Sequence, residues 1–426
     1  VGPNAGPSLE YIGTDNVFIG NNAGSLVSTN NILFSTFIGS NSGASASSSS
    51  YSTAIGDQAG QFSTGNHNFM VGNIAGQYLA GDYNVAVGQE PLTYVRGDKN
   101  VAFGYQNLAF GSFANNNVAL GLAAAASTIG DNNVAVGWNS NSQAWNGVNY
   151  DSIFLGEQAG NFAAGFNNIL IGYYAGHRTS NNGGSGQSIY AGYEAFEWSF
   201  VAENSVGFGY QTGANLYAFD TVVIGAEAME DTNEEYKYRN VVLGANAFQN
   251  TSALSNDNII LGYNSMNVIG SANKMTVIGD ALSDWNGFGT PDLNNMTIGN
   301  IIYGTGMSAT GTATSSGSIG IGTNSPTAQL HTTGSLRFSN FGNGNLTTDA
   351  SGNVSASSDE RLKNVLAGYT AGINSLLNIE PIVYQWNDAS GFETIEEYIG
   401  FSAQNIQENI PGAVGEDPRG FLTLSD

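Results

Sequence analysis

Cysteine is absent from the 426 residues, so neither disulfide bonds nor thiolate metal ligands stabilise this chain. Positive charge is also scarce, because 10 Lys and Arg stand against 34 Asp and Glu and give a formal net charge of −24. Nucleic-acid binding depends on clustered cations that neutralise phosphates, and this composition excludes it. No run of about 18 apolar residues occurs, so the sequence predicts no membrane insertion.

Proline is rare, with 8 residues, whereas glycine is abundant, with 58. The glycines follow no collagen-like G-X-Y period, and 41% hydrophobic residues exclude a disordered chain. A chain rich in Gly, Asn and Ser that keeps its aliphatic residues is typical of an all-β fold with many turns. Its length is sufficient for two or three domains.

Seventeen copies of an aliphatic triplet followed by glycine run through the first 300 residues. Two examples are Val85-Ala86-Val87-Gly88 and Val101-Ala102-Phe103-Gly104. The motif glycines lie at 20, 39, 56, 72, 88, 104, 121, 137, 156, 172, 192, 209, 225, 244, 262, 279 and 299, and their commonest spacing is 16 residues. Such a near-fixed period indicates a solenoid with one supersecondary unit in each repeat.

Turn-forming residues lie on both sides of the triplet. Asparagine often precedes it, as at Asn84 and Asn100, and a small residue often follows the glycine by three positions, as at Ala59 and Ala75. Asn and Gly tolerate positive φ and therefore favour tight turns. We predict that each repeat forms two short strands and two turns, which is one rung of a β-roll. At about 4.8 Å per rung, about 17 repeats would form a shaft of about 80 Å.

In most copies the triplet is apolar at all three positions. Its first and third side chains point to one face of the strand, and its middle side chain points to the other. A free-standing solenoid would carry polar residues on its outer face. We therefore expect one apolar face to line the roll and the other to lie against further copies of the chain, in a homotrimer. The alternative is that the middle residues lie on a partly exposed apolar face.

The repeat resembles the left-handed parallel β-roll heads of trimeric autotransporter adhesins, which share the order asparagine, alternating aliphatic residues and glycine. The resemblance covers about residues 16–300. The repeat is longer here, and insertions occur near 140–150, 177–188, 230–239 and 281–291. The resemblance implies a trimeric architecture more than membership of the adhesins.

The hexapeptide Ser358-Asp359-Glu360-Arg361-Leu362-Lys363 marks a change in composition. A serine hydroxyl becomes a nucleophile when a base removes its proton, and a lysine can act as that base when burial lowers its pKa. Ser358 and Lys363 are therefore the candidate catalytic residues, with Asp359 and Arg361 in support. Five positions do not place two side chains on one helix face. The structural alternative is a helix that begins at Ser358 as its N-cap.

From Ser358 onward the chain resembles the intramolecular chaperone of endosialidase-type tailspikes, the S74 peptidase family. The matching segments are 358–364, 372–379, 383–386 and 399–407, and Gly320 to His331 resembles the sequence upstream of such modules in phage tail fibres. The resemblance implies that the module trimerises, guides folding of the shaft and cleaves the bond between Ser357 and Ser358. Ser358 would be the nucleophile and Lys363 the general base. Family members usually continue into a coiled-coil helix, so we expect the module to be C-terminally incomplete here.

The sequence thus predicts five segments and an all-β class with a small α+β module at the end. We expect a lead-in over 1–15, the β-roll shaft over 16–300, a Gly/Ser/Thr linker over 301–317, a β neck over 318–357 and the chaperone module over 358–426.

Aromatic residues in the insertions are candidate receptor contacts, because insertions in repeat proteins form loops on the binding side. They are Trp145, Trp198, Tyr236, Tyr238 and Trp285. The alternative is that these side chains cover the ends of the roll.

No pattern for a transition metal or another cofactor occurs. The turns Gly81–Asn84 and Gly130–Asn133 leave calcium as the one candidate ion, because their side chains offer oxygen ligands. Acidic residues in the insertions could supply the two carboxylates that a glycan-cleaving enzyme needs, although they are equally typical of solvated loops. They are Glu194, Glu197 and Glu203, and Asp231, Glu234 and Glu235.

The sequence therefore predicts a homotrimeric tail fibre or spike of a phage or phage-tail-like particle that attaches the extracellular particle to its host. We expect the N-terminal end to bind a baseplate or another tail protein, and the surface loops to bind a host glycan or protein receptor. The alternatives are a trimeric adhesin of the bacterial cell surface and a glycan-depolymerising tailspike.

Overall fold

The computed structural model describes residues 2–6, 14–26, 32–110, 113–127, 130–143, 149–179, 186–199, 201–230, 236–249, 255–266, 273–279, 295–299, 301–306, 316–337, 347–348, 354–355, 366, 368, 372–387, 395–416 and 420–424. The chain forms two compact units, Val1–Ser335 and Leu336–Asp426. The boundary lies inside the segment that the sequence predicts to be a β neck.

The described residues of the first unit form 26 short strands. They are β1 (Val17–Ile19), β2 (Thr36–Ile38), β3 (Thr53–Ile55), β4 (Phe69–Val71), β5 (Val85–Gln89), β6 (Val101–Tyr105), β7 (Val118–Leu122), β8 (Val134–Val136), β9 (Asn149–Tyr150), β10 (Ile153–Leu155), β11 (Gly165–Phe166), β12 (Ile169–Ile171), β13 (Ile189–Ala191), β14 (Val201–Glu203), β15 (Val206–Phe208), β16 (Tyr217–Phe219), β17 (Val222–Ile224), β18 (Tyr236–Tyr238), β19 (Val241–Leu243), β20 (Ser255–Asn256), β21 (Ile259–Leu261), β22 (Thr276–Ile278), β23 (Met296–Ile298), β24 (Ile302–Thr305), β25 (Ser318–Ile321) and β26 (Leu330–Thr332).

The triplet strands form one parallel ladder from β1 to β23. Sixteen successive parallel pairings join them, and each aligns the three triplet residues with their counterparts in the next rung. The expected β-solenoid is confirmed. Its regular part amounts to about 13 turns, somewhat fewer than the 17 repeats expected. The last four strands of the ladder, whose motif glycines are 17–20 residues apart, continue the same parallel pairing.

A second strand per rung occurs only in some of the described turns. β9 pairs with β11, and β14, β16, β18 and β20 form a separate four-stranded parallel sheet. Elsewhere in the described part of the shaft the rung closes through turns. The prediction of two strands in every rung was therefore wrong, because backbone hydrogen bonds between successive turns replace the second ladder. Phe62 and Thr64, for example, donate their N–H groups to the carbonyls of Gln77 and Leu79.

The ladder ends differently from how it begins. β24 pairs antiparallel with β23 and β25, and β26 then pairs parallel with β25. β24 lies within the segment expected to be a linker. At the other end, Gly2–Gly6 repeats the turn Gly20–Gly24 one rung earlier, since Gly6 N–H bonds Ala23 O at 2.8 Å and Asn22 N–H bonds Pro3 O at 2.9 Å. This turn falls inside the expected lead-in.

The middle triplet residue points into the solenoid. Ala86, Ala102 and Met70 are fully buried, while the residues before and after them are half-buried or exposed. The prediction that the middle residues face outward, either against further copies or partly exposed, was therefore wrong. The outward-facing positions are instead the first and third triplet residues.

Two positions of each rung point inward, the middle triplet residue and the fourth residue after the motif glycine. A large residue at one is matched by a small residue at the other, so the core stays close-packed. Large middle residues such as Phe37 and Phe154 lie against a glycine four positions after the motif glycine, Gly43 and Gly160, where a Cβ would overlap their rings. Small middle residues reverse the arrangement: Ala86 is followed by the fully buried Leu92 at that fourth position.

A buried asparagine ladder fixes the register of the rungs. Asn100 Oδ1 accepts the backbone N–H of Asn117 at 3.0 Å, and Asn100 Nδ2 donates to Ala114 O at 2.7 Å and to Asn84 Oδ1 at 3.1 Å. Asn68 and Asn133 continue the ladder. Because the amide satisfies backbone groups that have no access to water, its side chain is worth more than one ordinary hydrogen bond.

The elements in the described part of the second unit are all short. They are β27 (Thr347–Thr348), β28 (Val354–Ser355), α1 (Ile373–Leu377), β29 (Pro381–Tyr384), β30 (Tyr398–Phe401), α2 (Ala403–Asn409), a 3₁₀ turn (Pro411–Ala413), β31 (Val414–Glu416) and β32 (Leu422–Leu424). The pairs β27–β28, β29–β30 and β31–β32 are antiparallel. This is the small α+β region that was expected. None of the described helices is long and apolar enough to cross a membrane.

Replacing Asn100 by alanine should lower the free energy of unfolding of the shaft by about 2–4 kcal/mol, because Ala114 O and the Asn117 N–H lose their partner in a dry interior. Chemical or thermal unfolding of the full chain, followed by circular dichroism, measures the change. Asn73→Ala is the control, since Asn73 is exposed and makes only long hydrogen bonds of 3.4–3.5 Å. Equal stability of the two variants would contradict the role of the ladder.

Candidate functional site

The candidate cleavage site belongs to the second compact unit, Leu336–Asp426, but its residues fall outside the described ranges. These are Ser357 and Ser358 at the scissile bond, Lys363 as the base, and Asp359 and Arg361 in support. The described chain approaches the site through the antiparallel pair β27–β28, which ends at Ser355, two residues before the bond. The nucleophile–base pairing therefore stays a prediction.

Asn405 connects two elements of the C-terminal unit. It lies in α2, and its Oδ1 accepts the Glu380 N–H at 3.0 Å while its Nδ2 donates to Asn378 O at 3.1 Å. Asn409, one turn later, donates to Asn405 O at 2.9 Å. These bonds hold α2 to the segment that follows α1, so two of the segments that resemble the chaperone family are in contact.

An aromatic group covers the pair β29–β30. The Tyr384 ring lies 5.3 Å from that of Trp386, nearly perpendicular to it, and 5.8 Å from that of Tyr398. Tyr384 Cε1 would lie 3.2 Å from a Cβ at Gly400, so the glycine of this segment gives the ring room. The fold explains these motif residues without assigning them a catalytic role.

The C-terminal unit leaves most of its described apolar side chains in solvent. Ile406 is the one buried hydrophobic residue among its described positions. The exposed ones include Leu366, Ile373, Leu376, Leu377, Val383, Ile395, Ile399 and Phe401. So little burial does not stabilise a unit of this size.

The shaft has a long exposed apolar surface, which we call the outer sheet face. It consists of the first and third triplet residues of the ladder strands. Fourteen of them are exposed by 36–45%: Val17, Ile19, Ile55, Phe69, Phe103, Ile153, Ile171, Phe208, Ile224, Val241, Leu243, Ile259, Ile278 and Ile298. Parallel pairing aligns these residues in two continuous columns.

A second surface feature is a column of rings at the sixth position after the motif glycine, the ring column. Phe62, Tyr78, Tyr94 and Phe110 stack with centroids 4.8, 4.8 and 5.8 Å apart and planes within 13° of parallel. Further along, the Arg178 guanidinium lies at the same position between Phe162, at 5.6 Å, and Trp198, at 4.0 Å. The sequence analysis missed this column, which becomes visible once the copies are aligned on their glycines.

The candidate receptor contacts separate into three groups. Trp198 belongs to the ring column, is 41% exposed and donates its Nε1–H to Glu197 Oε1 at 3.0 Å. Tyr236 and Tyr238 lie in β18, where their rings are 4.7 Å from Tyr217 and 4.8 Å from Phe219. Trp145 and Trp285 lie outside the described residues. Trp198 and the pair Tyr236 and Tyr238 thus lie in two different packing environments.

Acidic side chains of the turns take part in the solenoid's own hydrogen bonds. Asp82 Oδ1 accepts the Asn66 N–H at 2.7 Å, and Asp131 Oδ1 accepts the Asn115 N–H at 2.6 Å. Glu194 accepts a bond from Gln211 at 2.7 Å. No group of three or more His, Asp or Glu side chains in the described part of the chain is placed to hold a metal. Asp231, Glu234 and Glu235 are outside the described ranges.

One ion pair joins successive turns beside β18. Arg239 binds Asp257 through two bonds of 2.6 and 3.0 Å, and this guanidinium lowers the pKa of the Asp257 carboxyl. The pair is partly exposed and therefore contributes little stability.

Residues 358–415 match the family model of peptidase family S74, the chaperone of endosialidase. No curated protein and no solved structure matches the chain. The chain therefore combines a β-solenoid, as in the shaft of a tail fibre or tailspike, with a C-terminal region of the endosialidase-chaperone type.

Proposed function

We propose that the chain is the shaft and folding module of a homotrimeric tail fibre or spike, which attaches a phage or phage-tail-like particle to its host. The observation that carries the proposal is the union of a β-solenoid shaft with a C-terminal match to the chaperone of endosialidase. A solenoid pairs residues far apart in sequence only through neighbouring rungs, so a module that holds several chains together would help the rungs form in register.

The outer sheet face supports self-association of the shaft. About 17 rungs at about 4.8 Å, with the two columns about 7 Å apart, give an apolar surface on the order of 600 Å². This is as large as the biggest apolar patch of a typical monomer, about 300–600 Å². The apolar residues of the outer sheet face recur in every rung along the shaft. A second and a third copy of the chain in the same orientation would present faces of the same length and the same spacing between rungs.

The C-terminal unit supports the same conclusion independently. Ile373, Leu376 and Leu377 of α1 are all more than 60% exposed, and no residue of α1 is buried. Contact with other copies of the unit would bury this helix. Trimerisation of both units places the three shafts side by side, with the surfaces away from the outer sheet face free to bind a host.

The cleavage step assigned to the module is a peptide-bond hydrolysis in two stages. Lys363 takes the hydroxyl proton of Ser358 while Ser358 Oγ attacks the carbonyl carbon of Ser357, and the proton passes to the nitrogen that leaves. An ester then joins the two parts, and water hydrolyses it. The products are a shaft that ends in a Ser357 carboxylate and a module that begins with the Ser358 amine.

The full chain should form a trimer of 44.3 kDa protomers, and Phe103→Glu combined with Ile171→Glu should dissociate it, because two carboxylates per chain enter an apolar interface. Light scattering coupled to size-exclusion chromatography measures the mass. The control carries Thr64→Glu and Ser127→Glu at exposed positions outside the outer sheet face and should stay trimeric. A monodisperse wild-type monomer at micromolar concentration would remove the trimer from the proposal.

Expression of the wild-type chain should yield a shaft ending at Ser357 and a fragment beginning at Ser358. Ser358→Ala and Lys363→Ala should stay intact, because the first removes the nucleophile and the second the base. Ser357→Ala keeps both groups and is the matched control, which should still be cleaved. Intact-mass spectrometry of the purified proteins reads the outcome. Identical masses for wild type and Ser358→Ala would refute autocleavage and leave the folding role in place.

Immunogold labelling of the source culture, with antibody to residues 16–300, should place gold on tails or baseplates of particles. Particle labelling is expected because the folding module and the solenoid together are typical of tail fibres. Label confined to the cell envelope would contradict the particle and favour a cell-surface trimeric adhesin.

A further inference from the structure

The ring column is interrupted near its N-terminal end. Position six after the motif glycine is Leu26 in the first rung, Ser45 in the second and Phe62 in the third. A small hydroxyl side chain thus lies between two large apolar ones. Phe62 stacks on Tyr78 with one face, at 4.8 Å, and its other face is directed toward the rung of Ser45.

The interruption leaves a cavity of about 480 Å³ lined by Leu26, Ser45 and Phe62. Leu26 and Phe62 are two rungs apart, which corresponds to about 10 Å. Rings in the intact part of the column are 4.8–5.8 Å apart. One flat ring therefore fits over Ser45 at normal stacking distance from Leu26 on one side and Phe62 on the other.

The remaining walls of the cavity are polar and uncharged. Asn4, Asn22 and Asn41 form a chain of side-chain amides, with bonds of 3.0 and 3.1 Å between them, and Gln61 lies beside Phe62. Gln61 Oε1 accepts a bond from Gln77 at 2.9 Å, and its Nε2 group donates none in the described structure. None of the described residues that line the cavity carries a charge, although the chain as a whole is strongly acidic.

This combination selects the chemistry of the ligand. A pyranose ring has apolar C–H faces and a rim of hydroxyl groups, so its faces suit Leu26 and Phe62 and its hydroxyls suit the amides. The absence of charge disfavours uronic and sialic acids, whose carboxylate would be desolvated without a cation. An aromatic side chain of a protein would satisfy the apolar walls but would make fewer hydrogen bonds to the amides than the hydroxyl groups of a sugar.

We infer that the cavity over Ser45 binds one sugar ring of a neutral glycan, which takes the vacant place in the ring column. None of the residues that line it belongs to the triplet strands, so the site is separate from the outer sheet face. The inference names a ligand class for the attachment function proposed above and depends on that function for the source of the glycan, but not for the binding itself.

The test uses the full chain and an array of neutral and anionic oligosaccharides, with affinities then measured by isothermal titration calorimetry. Ser45→Tyr should fill the cavity with the protein's own ring and abolish binding. Phe162 and Trp198 occupy the same position with φ of 61° and 59°, close to the 67° of Ser45, so the backbone accepts a large residue there. Phe62→Ala should weaken binding about tenfold through loss of one stacking face.

Tyr94→Ala is the matched control, because it removes a ring from the column two rungs beyond Phe62 and leaves the cavity intact. Its affinity should stay within about twofold of wild type, and thermal unfolding should show that Ser45→Tyr is folded. Lack of saturable binding by any neutral oligosaccharide, binding of anionic glycans alone, or unchanged affinity in Ser45→Tyr would each overturn the inference.

Attachment of the labelled full chain to host cells separates the two proposals. Loss of both sugar and cell binding in Ser45→Tyr supports the site and its role in attachment. Cell binding that is unchanged in Ser45→Tyr, while sugar binding is lost, supports the sugar site and overturns its role in attachment. Absence of cell binding by the wild type, with sugar binding intact, contradicts the attachment function and leaves the site standing.

Discussion

The close approach of the backbone at the motif glycines of successive rungs is the constraint on which the rest of the shaft depends. Each motif glycine has a strongly positive φ, such as +130° at Gly88 and +132° at Gly104, which side-chain-bearing residues rarely adopt. A Cβ at Gly88 would overlap the carbonyl oxygen of Gly104. The glycines therefore let one rung lie directly on the next, and the parallel ladder follows from that contact.

Direct stacking turns every repeat position into a column of like environments. Inward columns become the dry core, in which Phe37 opposite Gly43 and Ala86 near Leu92 keep the volume of a rung nearly constant. The asparagine column satisfies buried backbone groups that the turns leave without partners. In the outward columns, the equivalent side chains of successive rungs lie next to one another. Aliphatic residues that are isolated in the sequence therefore form a continuous apolar face, and isolated rings form a stack.

The repeat and the all-β class could be predicted from the sequence because triplet, glycine and asparagine recur at a nearly fixed period. The sequence could not predict which face of the triplet strand points inward. Both faces of the three-residue strand are apolar, and only the turns determine on which side the rung closes. The rung formed by Gly2–Gly6 was missed because Gly2 follows a single residue, Val1, and not a complete triplet, although the order Gly-Pro-Asn-Ala-Gly resembles Gly20–Gly24. The ring column was missed because contact between Tyr78 and Tyr94 depends on the stacking of rungs, and each sequence copy contributes only one ring to the column. Resemblance to the chaperone family identified Ser358 and Lys363, and no described geometry yet brings them together.

Solvent access to the outer sheet face tests the central claim most directly, and the absence of native cysteine makes the measurement clean. Ile171→Cys and Thr64→Cys would be prepared in the full chain and reacted with a maleimide under native conditions. If copies of the chain cover the outer sheet face, the thiol at 171 reacts much more slowly than the thiol at 64, and the two rates converge in denaturant. Equally fast labelling of both thiols in the native protein would contradict the account.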